Sequence, residues 1–279
     1  MKNQILYSVL LSSAFVFSGC NRLFISQKKN IVYSQEQQLE LNVFSPRKKN
    51  KELKKVLVFI HGGNWKTGNK SMYNFLGKGM AKKGIVTVVI DYRLYPFTYS
   101  EMAMDVAQSL KWINQNIASF GGDPSDIFVS GHSAGGHLAA LISADSTYFD
   151  TLKIKNPVKG CILIDAFGLD MYTYLNKGEK YEFDVYRRVF TQDPEKWKAA
   201  SPVYHLHKGM PPFMLYVGEK TYPGIINGSS DFLEALKKYQ PEAAIIKVPR
   251  KRHAAMILSY VNPRKKAYRE IRDFMEKAN

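Results

Sequence analysis

Short apolar runs alternate along the chain with longer segments in which apolar residues recur every three or four positions. Leu39 to Phe44 alternates apolar and polar residues, the pattern of a half-exposed strand. Val56 to Ile60, Ile85 to Ile90, Ile127 to Ser130, Gly160 to Ile164, Phe213 to Val217 and Ile245 to Val248 are continuous runs. Without alternation, such runs predict strands covered on both faces. Ser71 to Lys82, Glu101 to Ala118, His132 to Ala144, Ser230 to Tyr239 and Tyr268 to Lys277 read as helices, the second with Met102, Val106, Leu110 and Ile113 at helical spacing. Strand and helix in alternation predict an α/β domain with a mostly parallel sheet and helices on both faces. The segment from about 166 to 206 breaks the rhythm. It is aromatic, charged and helical in pattern, and is expected to be a lid inserted over the C-terminal edge of the sheet.

Composition adds constraints but no chemistry. The 279 residues are 45% hydrophobic and 23% charged, which excludes a disordered or low-complexity chain. Two cysteines exclude a disulfide scaffold and a Cys-rich metal module. Lys plus Arg is 40 against 24 for Asp plus Glu, a formal charge of +16. That excess permits anionic partners, yet no nucleic-acid motif organises it, and no nucleic-acid partner is expected.

The first 20 residues read as a targeting signal. Lys2 precedes an apolar stretch from Ile5 to Phe17, too short to span a bilayer, which ends in Ser18-Gly19-Cys20. Small residues before a cysteine at this distance resemble the lipobox of bacterial lipoproteins. The resemblance implies cleavage before Cys20 and lipidation of that residue. With Asn21 following, it implies an outer-membrane destination in a cell that has one. Residues 21–30 are expected to form a polar, basic tether, and 31–279 the folded domain. Cys161, left without a partner, is expected to be a buried thiol.

The chemistry-bearing signals follow strands. Gly131-His132-Ser133-Ala134-Gly135-Gly136 comes directly after Ile127 to Ser130 and opens a small-residue helix. That is the context of a nucleophile elbow, in which a serine sits on a strained turn above the sheet. His61-Gly62-Gly63-Asn64-Trp65 follows Val56 to Ile60. Acyl transfer needs amide N–H groups aimed where negative charge develops, and glycines let the backbone approach. Gly63, Asn64 and Ala134 are the candidate oxyanion-hole amides.

With these motifs in this order, together with Asp91-Tyr92-Arg93-Leu94 and Gly121-Gly122-Asp123-Pro124, the chain from about Ile31 onward resembles the α/β-hydrolase superfamily. It resembles most the carboxylesterase-like members with a His-Gly-Gly-x-Trp loop, a group that includes arylformamidases and feruloyl-type esterases. The resemblance implies an α/β-hydrolase fold and serine hydrolysis of an ester, less often an amide, without metal or cofactor. In this fold the histidine of the triad follows the last strand, which points to His253 as the base for Ser133. The family usually places the acid three residues past the glycine that ends the strand Phe213 to Val217, and here that residue is Thr221. Two carboxylates could replace it. Glu219 is on the same loop, and Asp165 ends the adjacent strand, where some lipases of the superfamily carry their acid. Asp170 is a more distant third.

The expected function is therefore a lipid-anchored serine esterase of the bacterial envelope, acting on a small-molecule ester. Two alternatives remain open at this point. One is an amidohydrolase of the arylformamidase type. The other is a non-catalytic envelope binding protein of the same fold, for which the missing acid at Thr221 would speak.

Overall fold

The computed structural model describes residues 24–47, 52–177 and 183–278. The expected signal segment, with Cys20, lies outside the described residues. The elements run β1 (Ile25–Ser34), β2 (Leu39–Pro46), β3 (Lys54–Ile60), α1 (Asn74–Ala81), β4 (Val86–Ile90), α2 (Tyr99–Asn116), β5 (Gly122–His132), α3 (Ala134–Ala144), α4 (Thr147–Thr151) and β6 (Val158–Ile164). They continue with α5 (Met171–Asn176), α6 (Phe183–Phe190), α7 (Pro194–Ala199), β7 (Phe213–Gly218), α8 (Pro223–Lys237), β8 (Ile245–Val248), α9 (His253–Leu258) and α10 (Lys266–Lys277).

The strands form one 8-stranded sheet in the order β1-β2-β4-β3-β5-β6-β7-β8. β1 and β2 are antiparallel to their neighbours, and the rest are parallel. This is the α/β-hydrolase arrangement. Period-two alternation sends successive side chains to opposite faces. Val56, Val58 and Ile60 join one apolar layer with α2 and α3. Leu57 and Phe59 join the other with α1, α9 and α10. Because both faces are covered, the central strands read as continuous apolar runs. The capping at α2 is local: the Glu101 carboxylate accepts from the Thr98 amide at 2.8 Å, which satisfies an otherwise orphaned donor.

Two expectations change. The tether expected from Asn21 to Asn30 is already paired with β2 from Ile25, in register with Pro46. β1 reads as polar because it is an edge strand, exposed from Ser26 to Asn30. The helix expected from Ser230 starts at Pro223, a residue suited to the first helical turn. The inserted segment between β6 and β7 carries α5, α6 and α7. Cys161 is a free, buried thiol whose pKa burial pushes up to about 12, which keeps it protonated and unreactive.

One glycine lowers the stability of this framework without a packing reason. Gly228 sits inside α8, and a Cβ there would meet nothing within 4 Å. Gly228→Ala should raise the unfolding free energy by about 0.5–1 kcal/mol, read from the midpoint of a urea titration with an unchanged slope.

Candidate active site

The strand ends bring the chemistry together. Ser133 connects β5 to α3 with φ 56° and ψ −122°, a conformation that costs about 1–3 kcal/mol and persists only where the surroundings enforce it. The enforcement is close packing. A Cβ on Gly131 would lie 2.1 Å from the Gly135 carbonyl oxygen, and one on Gly135 would lie 2.2 Å from that of Ile60. The elbow is thereby pressed onto the end of β3, and α3 starts directly over the sheet edge.

Asp165 follows the last residue of β6 with φ 46° and no solvent exposure. Its amide donates to Tyr216 O at 2.8 Å, which turns the side chain toward the end of β7. There Oδ1 accepts from the Gly218 amide at 2.7 Å, and Oδ2 accepts from the Thr221 hydroxyl at 2.5 Å. Nδ1 of His253 lies 3.0 Å from the same Oδ2. A carboxylate can only accept, so Nδ1 carries the proton and Nε2 is left as the basic nitrogen. The His253 ring stacks on His132, the neighbour of Ser133, with centroids 4.5 Å apart.

Glu219 is placed elsewhere. Its carboxylate accepts from the Arg250 amide at 2.7 Å and holds the loop that precedes His253. Asp170 caps α5 by accepting from Thr173 N at 2.9 Å. Of the three carboxylates, only Asp165 has a hydrogen bond to His253 among the described residues. The geometry thus separates the two candidates: Asp165 faces His253, and Glu219 faces the Arg250 amide. Thr221, at the position where the resemblance expects the acid, donates instead to Asp165 at the tip of the adjacent strand. No local sequence signal marks that pairing, because it joins the tips of β6 and β7.

The loop after β3 is held from behind. His61 Nδ1–H donates to Gly62 O at 2.9 Å, and the His61 ring stacks on Tyr92 with centroids 4.4 Å apart. Gly63 O accepts from the Lys66 and Thr67 amides, both at 3.0 Å. In a trans peptide the N–H points opposite to the preceding C=O. Fixing the carbonyls of Gly62 and Gly63 on one side therefore turns the Gly63 and Asn64 amides to the other. A residue with a side chain could not replace Gly63, because φ is 131° and a Cβ would meet Thr67 O at 2.0 Å. At the elbow, Ser133 O accepts from the amides of His137 and Phe167 at 3.1 and 3.3 Å, which turns the Ala134 N–H outward by the same logic.

Two buried imidazoles brace the site. His137 accepts from Trp65 Nε1 at 3.3 Å, and its Nε2–H donates to Ala200 O at 2.7 Å. It links the loop after β3, the elbow helix and the segment inserted after β6. Burial lowers its pKa to about 4. Burial, followed by the nearby His253, lowers that of His132 to about 4 as well. Trp65 itself is fully buried and packs edge-on against Tyr186 and Phe190. Among the described residues no cluster of His, Cys, Asp and Glu has the geometry to hold a metal.

These rings have a pH consequence. The folded chain keeps them neutral down to about pH 4, whereas the unfolded chain protonates them near 6.5. Their contribution is fully present above about pH 6.5, declines as the pH falls through that value, and stops declining below about 4. The loss should approach about 3 kcal/mol per ring. His137→Gln should be less stable at pH 7 and show a shallower loss between pH 6.5 and 4.5 in urea titrations. An unchanged slope would contradict this account.

Residues 41–236 match the family model BD-FAE. The chain is 30% identical over 277 residues to isoprenylcysteine alpha-carbonyl methylesterase ICME of Arabidopsis thaliana, an alignment covering 90% of this chain and 62% of that protein. It is 28% identical over 222 residues to esterase LipC of Mycobacterium tuberculosis, covering 75% and 55% respectively. The chain thus spans about three-fifths of the length of the curated relatives it matches first. Among solved structures, an inhibited esterase B from Lactobacillus rhamnosis superposes with a TM-score of 0.76 at 18% identity, over 98% of this chain and 96% of that one. Native esterase 2 of Thermogutta terrifontis gives 0.68 at 22% identity, over 88% and 90%. The sheet order, the glycine-packed elbow and the match across its central 41–236 make this chain a member of the BD-FAE family with the α/β-hydrolase fold.

Proposed function

We propose that the protein is a serine hydrolase that cleaves carboxylic esters through an acyl-enzyme. One observation carries this reading: a fully buried Asp165 holds His253 Nδ1 at 3.0 Å, and the His253 ring stacks on His132, the chain neighbour of the strained Ser133. In this mechanism His253 Nε2 takes the Ser133 hydroxyl proton as Oγ attacks the ester carbonyl. The amides of Gly63, Asn64 and Ala134 receive the oxyanion. His253 then passes the proton to the leaving alkoxide, and water repeats the sequence to release the acid. Asp165 stays ionised and stabilises the imidazolium. The methylesterase and esterase names of the relatives support an ester over an amide. The lipobox-like Ser18-Gly19-Cys20 supports a membrane-anchored chain in the bacterial envelope, lipidated at Cys20, at the outer membrane where one exists.

Turnover of a short-chain aryl ester tests the assignment. Ser133→Ala should abolish turnover and fluorophosphonate labelling together. Asp165→Asn should lower kcat by about four orders of magnitude, while Glu219→Gln stays within about tenfold. Thr221→Val should lower kcat by about tenfold or more through loss of a charge-assisted hydrogen bond, and Thr221→Ser should restore it. Full labelling of Ser133→Ala, or equal effects of Asp165→Asn and Glu219→Gln, would refute the proposed roles.

A further inference from the structure

The described chain begins on the edge of the sheet opposite to the site. Ile25 pairs with Pro46 at the end of β2, and β2 runs antiparallel to β4, with Phe44 beside Thr87 and Leu41 beside Ile90. Phe24 therefore sits at the edge where the parallel strands begin, while Ser133, Asp165 and His253 follow the ends of those strands. β3 alone, seven residues long, separates the two edges by about 23 Å. Cys20 stands four residues before Phe24 in the sequence.

Two cavities on the Phe24 side are basic. One, of about 250 Å³, is lined by Lys83, Arg264, Lys265, Lys266, Arg269 and Arg272 around Tyr268, with no carboxylate in its lining. Lys266 is paired with Glu270 at 2.7 Å and Arg272 with Asp273 at 3.5 Å. Lys83, Arg264, Lys265 and Arg269 have no ion pair among the described residues. Three of these cations, Arg264, Lys265 and Lys266, crowd the N-terminus of α10, whose first turn holds no acidic residue. That end of a helix favours anions, so placing cations there lowers stability. A bound anion would reverse the penalty. The other cavity, about 450 Å³, holds Lys28 and Arg47 with the hydroxyls of Ser26, Ser45 and Ser119. Arg47 donates its amide to Phe24 O at 3.0 Å. Phe24 is 61% exposed, while Ile25 is buried in the same apolar layer as Met80, Ile85 and Tyr268. The start of the described chain and both cavities thus share one side of the molecule.

We propose that this basic edge is a docking surface for an anionic phospholipid bilayer, with phosphate headgroups seated in the Lys83–Lys265–Arg269 cavity. The position of Phe24, four residues after Cys20 in the sequence, selects a bilayer as the occupant, and in that respect the proposal rests on the anchor reading. Docked in this way, the enzyme turns Ser133 away from the membrane and takes esters from the aqueous side. The charge would thus set the orientation of the folded domain on the bilayer, which an attached lipid by itself does not specify.

The test uses the full chain, isolated from membranes in detergent and exchanged into vesicles of phosphatidylcholine alone or with about 30% phosphatidylglycerol, a composition that makes the surface strongly negative. The wild-type chain should favour the anionic vesicles, and acylation of Lys83 and Lys265, read by mass spectrometry, should fall only on those vesicles. Lys83→Glu/Lys265→Glu/Arg269→Glu should reduce the anionic-over-zwitterionic preference by about a hundredfold, with turnover of a soluble ester retained as the folding control. High salt should have the same effect on the wild type. Equal partition into both vesicles, or an undiminished preference in the triple variant, overturns the proposal and leaves the anchor reading intact. Protection of both lysines by inorganic phosphate alone, equal to that by anionic vesicles, also overturns it in favour of a small-anion site. A chain that ignores phosphatidylcholine but still binds anionic vesicles defeats the anchor reading and sustains the surface.

Discussion

An ionised carboxylate removed from water destabilises a fold by several kcal/mol unless neighbours replace its hydration. At Asp165 the replacement comes from three directions: the Gly218 amide, the Thr221 hydroxyl and the His253 ring. Two donors stand at the end of β7 and the third follows β8, so the carboxylate ties β6, β7 and the segment after β8 into one edge. The same three bonds leave Oδ2 facing a single imidazole nitrogen and fix its tautomer. The packing of this sheet edge and the proposed chemistry therefore share one buried carboxylate. That shared role explains why its surroundings are tight enough to hold a positive φ at a non-glycine residue.

The elbow works by the opposite physics, since it depends on missing atoms rather than on added charge. Gly131 and Gly135 let α3 start in contact with the end of β3, and Gly62 lets the neighbouring loop close over the elbow, where a Cβ would lie 2.7 Å from His132 O. Neutral His137 then bonds the loop, through Trp65, to the segment inserted after β6, through Ala200. Because burial keeps that ring uncharged down to about pH 4, the bracing does not depend on its charge above that value.

What could be read from residues alone follows the same division. Glycine spacing after an apolar run is local, so the elbow and the loop from His61 to Trp65 were legible, as were the buried strands with their period and composition. β1 was not: an edge strand pairs on one side only, and Lys28, Lys29 and Asn30 look like a solvated tether until β2 is placed beside them. The acid was half legible. Asp165 and Glu219 both follow apolar runs, and the sequence carries no sign that one side chain turns inward and the other toward Arg250. Thr221 was read as a deficit because its pairing with Asp165 spans 56 positions. Side-chain direction at strand tips is decided by neighbouring strands, and a linear pattern does not encode it.

The position of the acid also bears on how such sites tolerate change. Asp165 and Thr221 sit at the tips of adjacent strands and share one hydrogen bond. A carboxylate at either position could therefore face the same Nδ1, with the other position supplying a hydroxyl. In both arrangements the imidazole meets one carboxylate and one supporting hydroxyl, so the hydrogen-bond pattern at Nδ1 is preserved. What differs is the strand that bears the cost of burying the charge. In this chain it falls on β6, whose tip is packed between β5 and β7, and part of the compensation comes from the Gly218 amide, a backbone donor. A carboxylate after β7 would instead depend on whatever donor the tip of β6 supplied. The arrangement seen here supports its buried charge with a main-chain group, and the hydroxyl of Thr221 refines a geometry that the backbone already holds.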